Sequence, residues 1–253
     1  MSETDIRRHS PAAMTLAAYL SVRSGQSTSA HGRARASLPR RLVRAVVPVR
    51  ARGALEQLAT NALRPWERWQ ARRLASGVPL RLHLGSGHTP LRDWVNIDFL
   101  GKPAQLAWDL TTPLPFPDGS ASVVFHEHLL EHLPVEVAVR LLRECHRLLE
   151  PEGVLRVGVP DAGMYLRAYA GAAGTDGFLD QVRPGRPTSL LAVREVFQDH
   201  GHRSAYDFET LALLLEASGF RDVERRPFGD SRIRPCPDGE RRRLETLYVE
   251  GVR

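Results

Sequence analysis

The 253-residue chain is 42% apolar and 25% charged, the balance of a water-soluble folded chain long enough for one α/β domain plus an extension. Two cysteines, Cys145 and Cys236, exclude a disulfide framework and form no C-x-x-C pair, so a reducing compartment, the cytoplasm, is the expected location. The net charge of +6 is uneven: residues 1–76 hold 14 arginines against four acidic residues, about +10, and residues 77–253 carry about −4,.

No run approaches the roughly 18 apolar residues of a membrane span. Met14–Val22 follows Arg7-Arg8 as a signal-peptide core would, but it is short, meets Arg23 at once and lacks a small-x-small cleavage site,. Residues 24–37, rich in Ser, Gly and Arg, read as a flexible segment,. Residues 38–76 read as helical pieces broken at Pro48 and Pro65, with Leu55, Leu58, Ala62 and Leu63 at helical spacing and Trp66 and Trp69 beyond,. A basic arm attracts nucleic acid by counterion release. However, 34 of the 35 basic residues are arginine, a compositional bias that favours a scaffold or lid role for the arm. The expected division is a basic extension over 1–76 and an α/β domain over 77–253.

From residue 79 strand and helix patterns alternate, the signature of a mostly parallel sheet. The strand runs are 80–84, ending at the glycine turn 85–87, then 94–99, 105–110, 121–126 and 154–159. A helix over Pro134–Leu149 carries its apolar stripe on Ala138, Leu141, Leu142, Cys145, Leu148 and Leu149,. Gly171–Gln198 is long for a structureless loop and reads as a lid or acceptor-binding segment,. A second amphipathic helix spans Asp207–Ser218 with Gly219 as its cap,. The runs 220–228 and 244–252 are strand-like with no helix between them, so they are expected to pair antiparallel.

A strand entering Gly85-Ser86-Gly87 brings backbone close to a ligand,. Pro90 stands where a dinucleotide fingerprint has its third glycine, so the turn alone is weak,. Asp98 ends the second strand, where a carboxylate accepts from both ribose hydroxyls. Asp109 ends the third, either facing an adenine amino group or serving as a turn residue. Together these strand ends describe an adenosine pocket at the carboxyl edge of one sheet.

The runs LRLHLGSGHTPLRDWVNIDF, WDLTTPLPFPDGSASVVFHEHLLEHL and LLRECHRLLEPEGVLRVGVPD, with GHRSAYDFETLALLLEASGF and the terminal LYVEGVR, closely resemble class I S-adenosylmethionine-dependent methyltransferases. The resemblance spans residues 79–253 and implies a Rossmann-like, doubly wound, mostly parallel seven-stranded sheet with an antiparallel last strand. It implies S-adenosylmethionine as cofactor, with Gly85, Ser86 and Gly87 on its methionine part, Asp98 on the ribose, Asp109 and Leu110 flanking the adenine, and His128 facing the pocket. Pro151-Glu152-Gly153 stands in place of the family's usual proline-glycine-glycine. The 76 N-terminal residues have no counterpart in it.

Candidates for taking a proton from an attacking hydroxyl or amine are His128 and His202, with Asp199 to orient a histidine and Tyr206 to position the acceptor. Asp161, after the fifth strand, suits either substrate or a helix start. His128-Leu129-Leu130-Glu131-His132 fits the H-x-x-E-H zinc pattern, with His126 as a further donor,. Leu133-Pro134 follows at once, the i, i+4 pair needs a continuous helical turn, and no metal is expected; His132 reads as a capping or packing residue. The expected partner is a small-molecule methyl acceptor such as a natural product or sugar-like metabolite, with O-methylation favoured. Nucleic acid is disfavoured because the core shows no basic-aromatic stacking array. An S-adenosylmethionine-binding protein without methyl transfer, and an RNA methyltransferase using the basic arm, are the alternatives. The oligomeric state is open, a homodimer included.

Overall fold

Apolar runs of strand length, set between glycine and proline turns, build one seven-stranded sheet in the computed structural model. It describes residue 18 and residues 65–75, 79–99 and 103–253. The run Met14–Val22 apart from Ala18, the segment 24–37 and the helical pieces before Pro65 lie outside the described residues. Helix α1 (65–74) buries Ala71 in the main core and leaves Trp66 and Trp69 57% and 46% exposed, their rings stacked at 4.9 Å.

The strands are β1 (Leu80–Leu84), β2 (Val95–Asp98), β3 (Leu106–Ala107), β4 (Ala121–Glu127), β5 (Leu149–Pro160), β6 (Arg221–Arg226) and β7 (Thr246–Val252). Their spatial order is β3-β2-β1-β4-β5-β7-β6. β3, β2, β1, β4 and β5 pair parallel with their neighbours, and β7 runs antiparallel to both β5 and β6. The chain leaves β1 toward β2 and β3 on one side and returns to β4 on the other. The carboxyl ends of β1 and β4 therefore flank the switch point where such sheets bind ligands.

Helices α2 (Val135–Leu148), α3 (Ala162–Tyr169), α4 (Phe178–Val182), α5 (Ser189–Gln198) and α6 (Phe208–Ala217) complete the fold. The stripe of α2 is buried at Ala138, Leu141, Leu142, Cys145 and Leu148. Asp207 caps α6 by accepting from Thr210 N–H, and Gly219 follows it at φ +104°, as its cap position requires,. The segment 171–198 is not structureless: it holds α4 and α5, which with α3 form a separate apolar cluster around Tyr165, Phe178, Val193 and Val196. Among the described residues, no helix is long and apolar enough to cross a membrane.

Two strands depart most from the expected lengths. β3 is two residues rather than six, because Trp108 turns into the core and donates its indole N–H to Pro113 O while Asp109 closes a turn with Thr111. β5 begins five residues early, running through Pro151-Glu152-Gly153 with Glu152 at φ +67°.

His126 of β4 is fully buried, neither ring nitrogen has a hydrogen-bond partner, and desolvation lowers its pKa from 6.5 to about 4. The unfolded chain therefore binds more protons than the native one between those values. His126 contributes no penalty above pH 6.5, and stability falls as pH drops toward about 4, with a slope of up to about 1.4 kcal/mol per pH unit. Denaturant midpoints measured from pH 7 to 4 are expected to show this slope in the wild type and a shallower one in His126→Leu. Equal slopes would remove His126 as its source.

Candidate active site

The carboxyl edge of the sheet is where the candidate residues meet. After β1 the chain turns through Gly85 (φ +65°) and Gly87 (φ +52°), backbone angles that disfavour side chains,. A Cβ on Gly85 would stand 3.0 Å from Leu129 Cδ1, whereas one on Gly87 would meet no heavy atom within 4 Å. Gly87 N–H donates to Asp98 Oδ2 at 2.9 Å, so the turn and the end of β2 are joined directly. Ser86 is buried, and its Oγ has no hydrogen-bond partner.

Asn96 fastens the loop between them. Its side chain accepts from Leu91 N–H at 2.7 Å, donates to Leu91 O and Trp94 O, and meets His83 Nδ1 at 2.9 Å. Asp109 Oδ1 accepts from the backbone and hydroxyl of Thr111 at 3.0 and 2.7 Å, so one of its two oxygens closes a turn. Leu110 packs partly buried on the main core.

On the other side of the switch point, His128 follows the last residue of β4 and is held at φ +51°. Thr246 Oγ1 donates to Arg242 O, so the natural assignment has His128 Nε2–H donating to Thr246 Oγ1 at 2.9 Å,. Nδ1 then faces Arg242 Nη1 at 3.3 Å and Glu131 Oε1 at 3.1 Å. Both nitrogens of His128 are thus engaged by the start of β7 and its preceding turn. Arg242 and Thr246 escaped the sequence reading because a run of arginines before a strand carries no local signature.

Leu130–His132 is a single 3₁₀ turn, not the α-helical turn that H-x-x-E-H zinc sites use. It buries the Glu131 side chain to 2% exposure. Desolvation opposes charge there, yet the adjacent His128 and His132 hold this carboxyl below its ordinary range. Burial likewise lowers the pKa of His132 and of His200. His202 comes from the far end of α5: its Nδ1 donates to Val196 O at 2.7 Å, and its ring meets that of His132 edge-on at 4.9 Å.

The remaining predicted residues take structural positions. Val196 O, not Asp199, occupies the Nδ1 atom of His202, and Asp199 lies 3.9 Å from Arg194. Tyr206 is 1% exposed in the main core and donates its hydroxyl to Leu130 O at 3.4 Å. Asp161 serves the helix start, accepting from Met164 N–H at 2.8 Å, and pairs with Arg225.

Helices α3–α5 are tied beside this edge. Arg183 pairs with Glu245 at 2.7 Å, and Tyr165 donates to the same carboxylate at 2.7 Å. Between α4 and the turn before β7 lies a cavity of about 180 Å³, lined among others by Gln181, Arg242 and Glu245.

Residues 97–157 match the family described as a methyltransferase domain, a narrower span than the resemblance read from the sequence. No curated protein sequence matches the chain. A solved S-adenosylmethionine-dependent methyltransferase of Archaeoglobus fulgidus is 16% identical over 78% of this chain and 94% of its own, with a TM-score of 0.46. A Thermotoga maritima structure described as a possible histamine N-methyltransferase is 17% identical over 74% and 88%, with a TM-score of 0.43. An O-methyltransferase family protein of Burkholderia thailandensis is 15% identical over 83% and 61%, with a TM-score of 0.42. The domain match falls across β2–β5 of a sheet ordered β3-β2-β1-β4-β5-β7-β6 with β7 reversed, so this central part of the chain is similar to methyltransferase domains.

Proposed function

We propose that this chain is a class I S-adenosylmethionine-dependent methyltransferase that methylates a small molecule in the cytoplasm, with oxygen the favoured acceptor atom. The observation that carries the reading is the group of imidazoles gathered where the turn after β4 meets the segment that follows α5. Burial lowers the pKa of His132 and His200, so these rings are neutral at physiological pH. Neutral imidazoles suit an acceptor that arrives protonated, as a hydroxyl does. His202 is the assigned base: its Nδ1–H is spent on Val196 O, which leaves Nε2 as the ring's proton acceptor. His128 is assigned a positioning role, because Thr246 and Arg242 engage its ring.

Gly85, Ser86 and Gly87 are assigned to the methionine part of the cofactor, Asp98 to the ribose, and Asp109 with Leu110 to the adenine. The open space beside Gly87 and the unpartnered buried hydroxyl of Ser86 support the first of these. The cofactor supplies an activated methyl group. The protein aligns it with the acceptor and excludes water, and the acceptor oxygen attacks the methyl carbon while the C–S electron pair leaves with sulfur. The 180 Å³ cavity beside Arg242 is smaller than the roughly 300 Å³ of the smallest usual ligand sites, so it accommodates part of an acceptor.

Gly87→Ala separates binding from folding. The added methyl meets no protein atom within 4 Å, so stability is expected to fall only by the roughly 1–2 kcal/mol of a left-handed backbone angle. Cofactor affinity is expected to fall more. An unchanged dissociation constant by calorimetry would move the methionine part elsewhere.

A labelled-methyl assay with phenols, alcohols, carboxylic acids and amines tests the acceptor. Label on the oxygen of a small molecule is the expected result. Label on nitrogen or carbon would overturn the oxygen assignment, and label in RNA or protein would overturn the small-molecule one.

A further inference from the structure

We propose that Glu131, His132 and His202 form a binding site for a divalent first-row transition-metal ion. A carboxylate oxygen and one nitrogen from each imidazole lie within 4.8 Å of one another. Donors bound at about 2.1 Å from a common ion stand roughly 3–4 Å apart, so side-chain shifts of about an ångström close the set. The expectation of no metal rested on the H-x-x-E-H pattern, which would have paired His128 with His132 across a helical turn. The structure assembles a different set. Glu131 and His132 leave β4 on one 3₁₀ turn, and His202 is delivered 70 residues later by the end of α5.

Two further observations point to a cation. Glu131 is 1% exposed; its Oε2 is buried without a hydrogen-bond partner, and its Oε1 has His128 Nδ1 at 3.1 Å. A carboxylate in that state is costly unless a positive charge faces it. His202 donates its Nδ1–H to Val196 O at 2.7 Å. That backbone bond turns the Nε2 lone pair away from Val196, the orienting arrangement that metal-bound histidines use. Two imidazoles and one carboxylate suit Zn²⁺, Co²⁺ or Fe²⁺, whereas Mg²⁺ and Ca²⁺ take oxygen ligands almost throughout. Three protein ligands leave a coordination position open, as catalytic sites do and structural sites do not. The site lies at the edge of the glycine turn, since the Leu129 side chain meets the Cβ position of Gly85 two residues before Glu131.

This rests on the reading of the histidine group and deepens it: His202 is the base in the metal-free protein and a ligand once the ion is bound. The test needs neither cofactor nor acceptor, so its outcome is separate from methyl transfer. Chelator-treated full-length protein is titrated with Co²⁺ and read by visible absorption, with Zn²⁺ competition as the second measurement. One Co²⁺ per chain, bound at micromolar concentration and displaced by Zn²⁺, is the expected result. Glu131→Gln and His202→Gln are each expected to weaken binding at least tenfold, and the exposed His88→Gln to leave it unchanged. Absence of a one-to-one Co²⁺ spectrum in the wild type would overturn the site, whatever the variants do. Equal affinity in Glu131→Gln or His202→Gln would do the same. Loss of catalysis in His202→Gln without any metal binding would return that residue to the role of base.

Discussion

Asp98→Ala is expected to weaken S-adenosylmethionine binding by about 1.5–3 kcal/mol, the range for hydrogen bonds to a charged group, or roughly ten- to a hundredfold. Asp98 sits at the last position of β2 and has two tasks in the account. One oxygen accepts from Gly87 N–H and ties the glycine turn to the neighbouring strand. The carboxylate is also the assigned acceptor for the ribose hydroxyls. Asp98→Asn separates the tasks: an amide oxygen still accepts from Gly87 but carries no charge, so its affinity is expected between those of Ala and wild type. Calorimetry on the three proteins measures the order. Wild-type affinity in both variants would take Asp98 out of the site. Equal losses in both would assign the effect to charge alone.

Arg156→Leu carries the largest expected stability change. The guanidinium is fully buried and forks onto Asp238 at 2.6 and 2.5 Å, while Nη1 reaches Glu250 at 2.9 Å. It also donates to the carbonyls of Asp230 and Pro227, and lies 4.7 Å from the ring centroid of Tyr248. Leucine fills much of the volume but leaves Asp238 buried without its cation and Glu250 with only the more distant Arg226, at 3.8 Å. Removing one partner of a buried pair costs about 3–5 kcal/mol, on the order of 10 °C in the melting midpoint of a chain this size. The damage is expected to reach the site, because the loop that Arg156 holds contains Gly239, whose N–H donates to Glu127 beside His128. Thermal unfolding of Arg156→Leu within a degree or two of wild type would show that the network contributes little. Arg156→Lys keeps the charge, loses the fork, and is expected to fall between them.

Much of the sheet was legible because its signals are local. Buried strands read as apolar runs, and the stripe of α2 keeps its helical period into the core. The antiparallel pairing of β6 with β7 followed from the missing crossover helix. β3 was overread because a buried tryptophan and a turn aspartate look, in one dimension, like continued strand. The join between the glycine turn and the end of β2 was legible for the same local reason: Gly85, Gly87 and Asp98 lie within 14 residues of one another.

The other half of the site was not legible. His128, Arg242 and Thr246 meet across more than 110 residues, and Glu131 meets His202 only because α5 returns its end to the edge of β4. Tyr206 and Asp199 show the opposite error. Polar residues near a histidine motif were read as functional, and the fold spends Tyr206 on a core carbonyl and hands the orientation of His202 to the backbone of Val196.

Equilibrium binding of radiolabelled S-adenosylmethionine to the full-length protein tests the central assignment most directly. One molecule bound per chain, displaced by S-adenosylhomocysteine, unaffected by nicotinamide dinucleotides, and weakened by both Gly87→Ala and Asp98→Ala, is the expected result. Saturable binding that survives both substitutions, or displacement by nicotinamide dinucleotides instead, would contradict it.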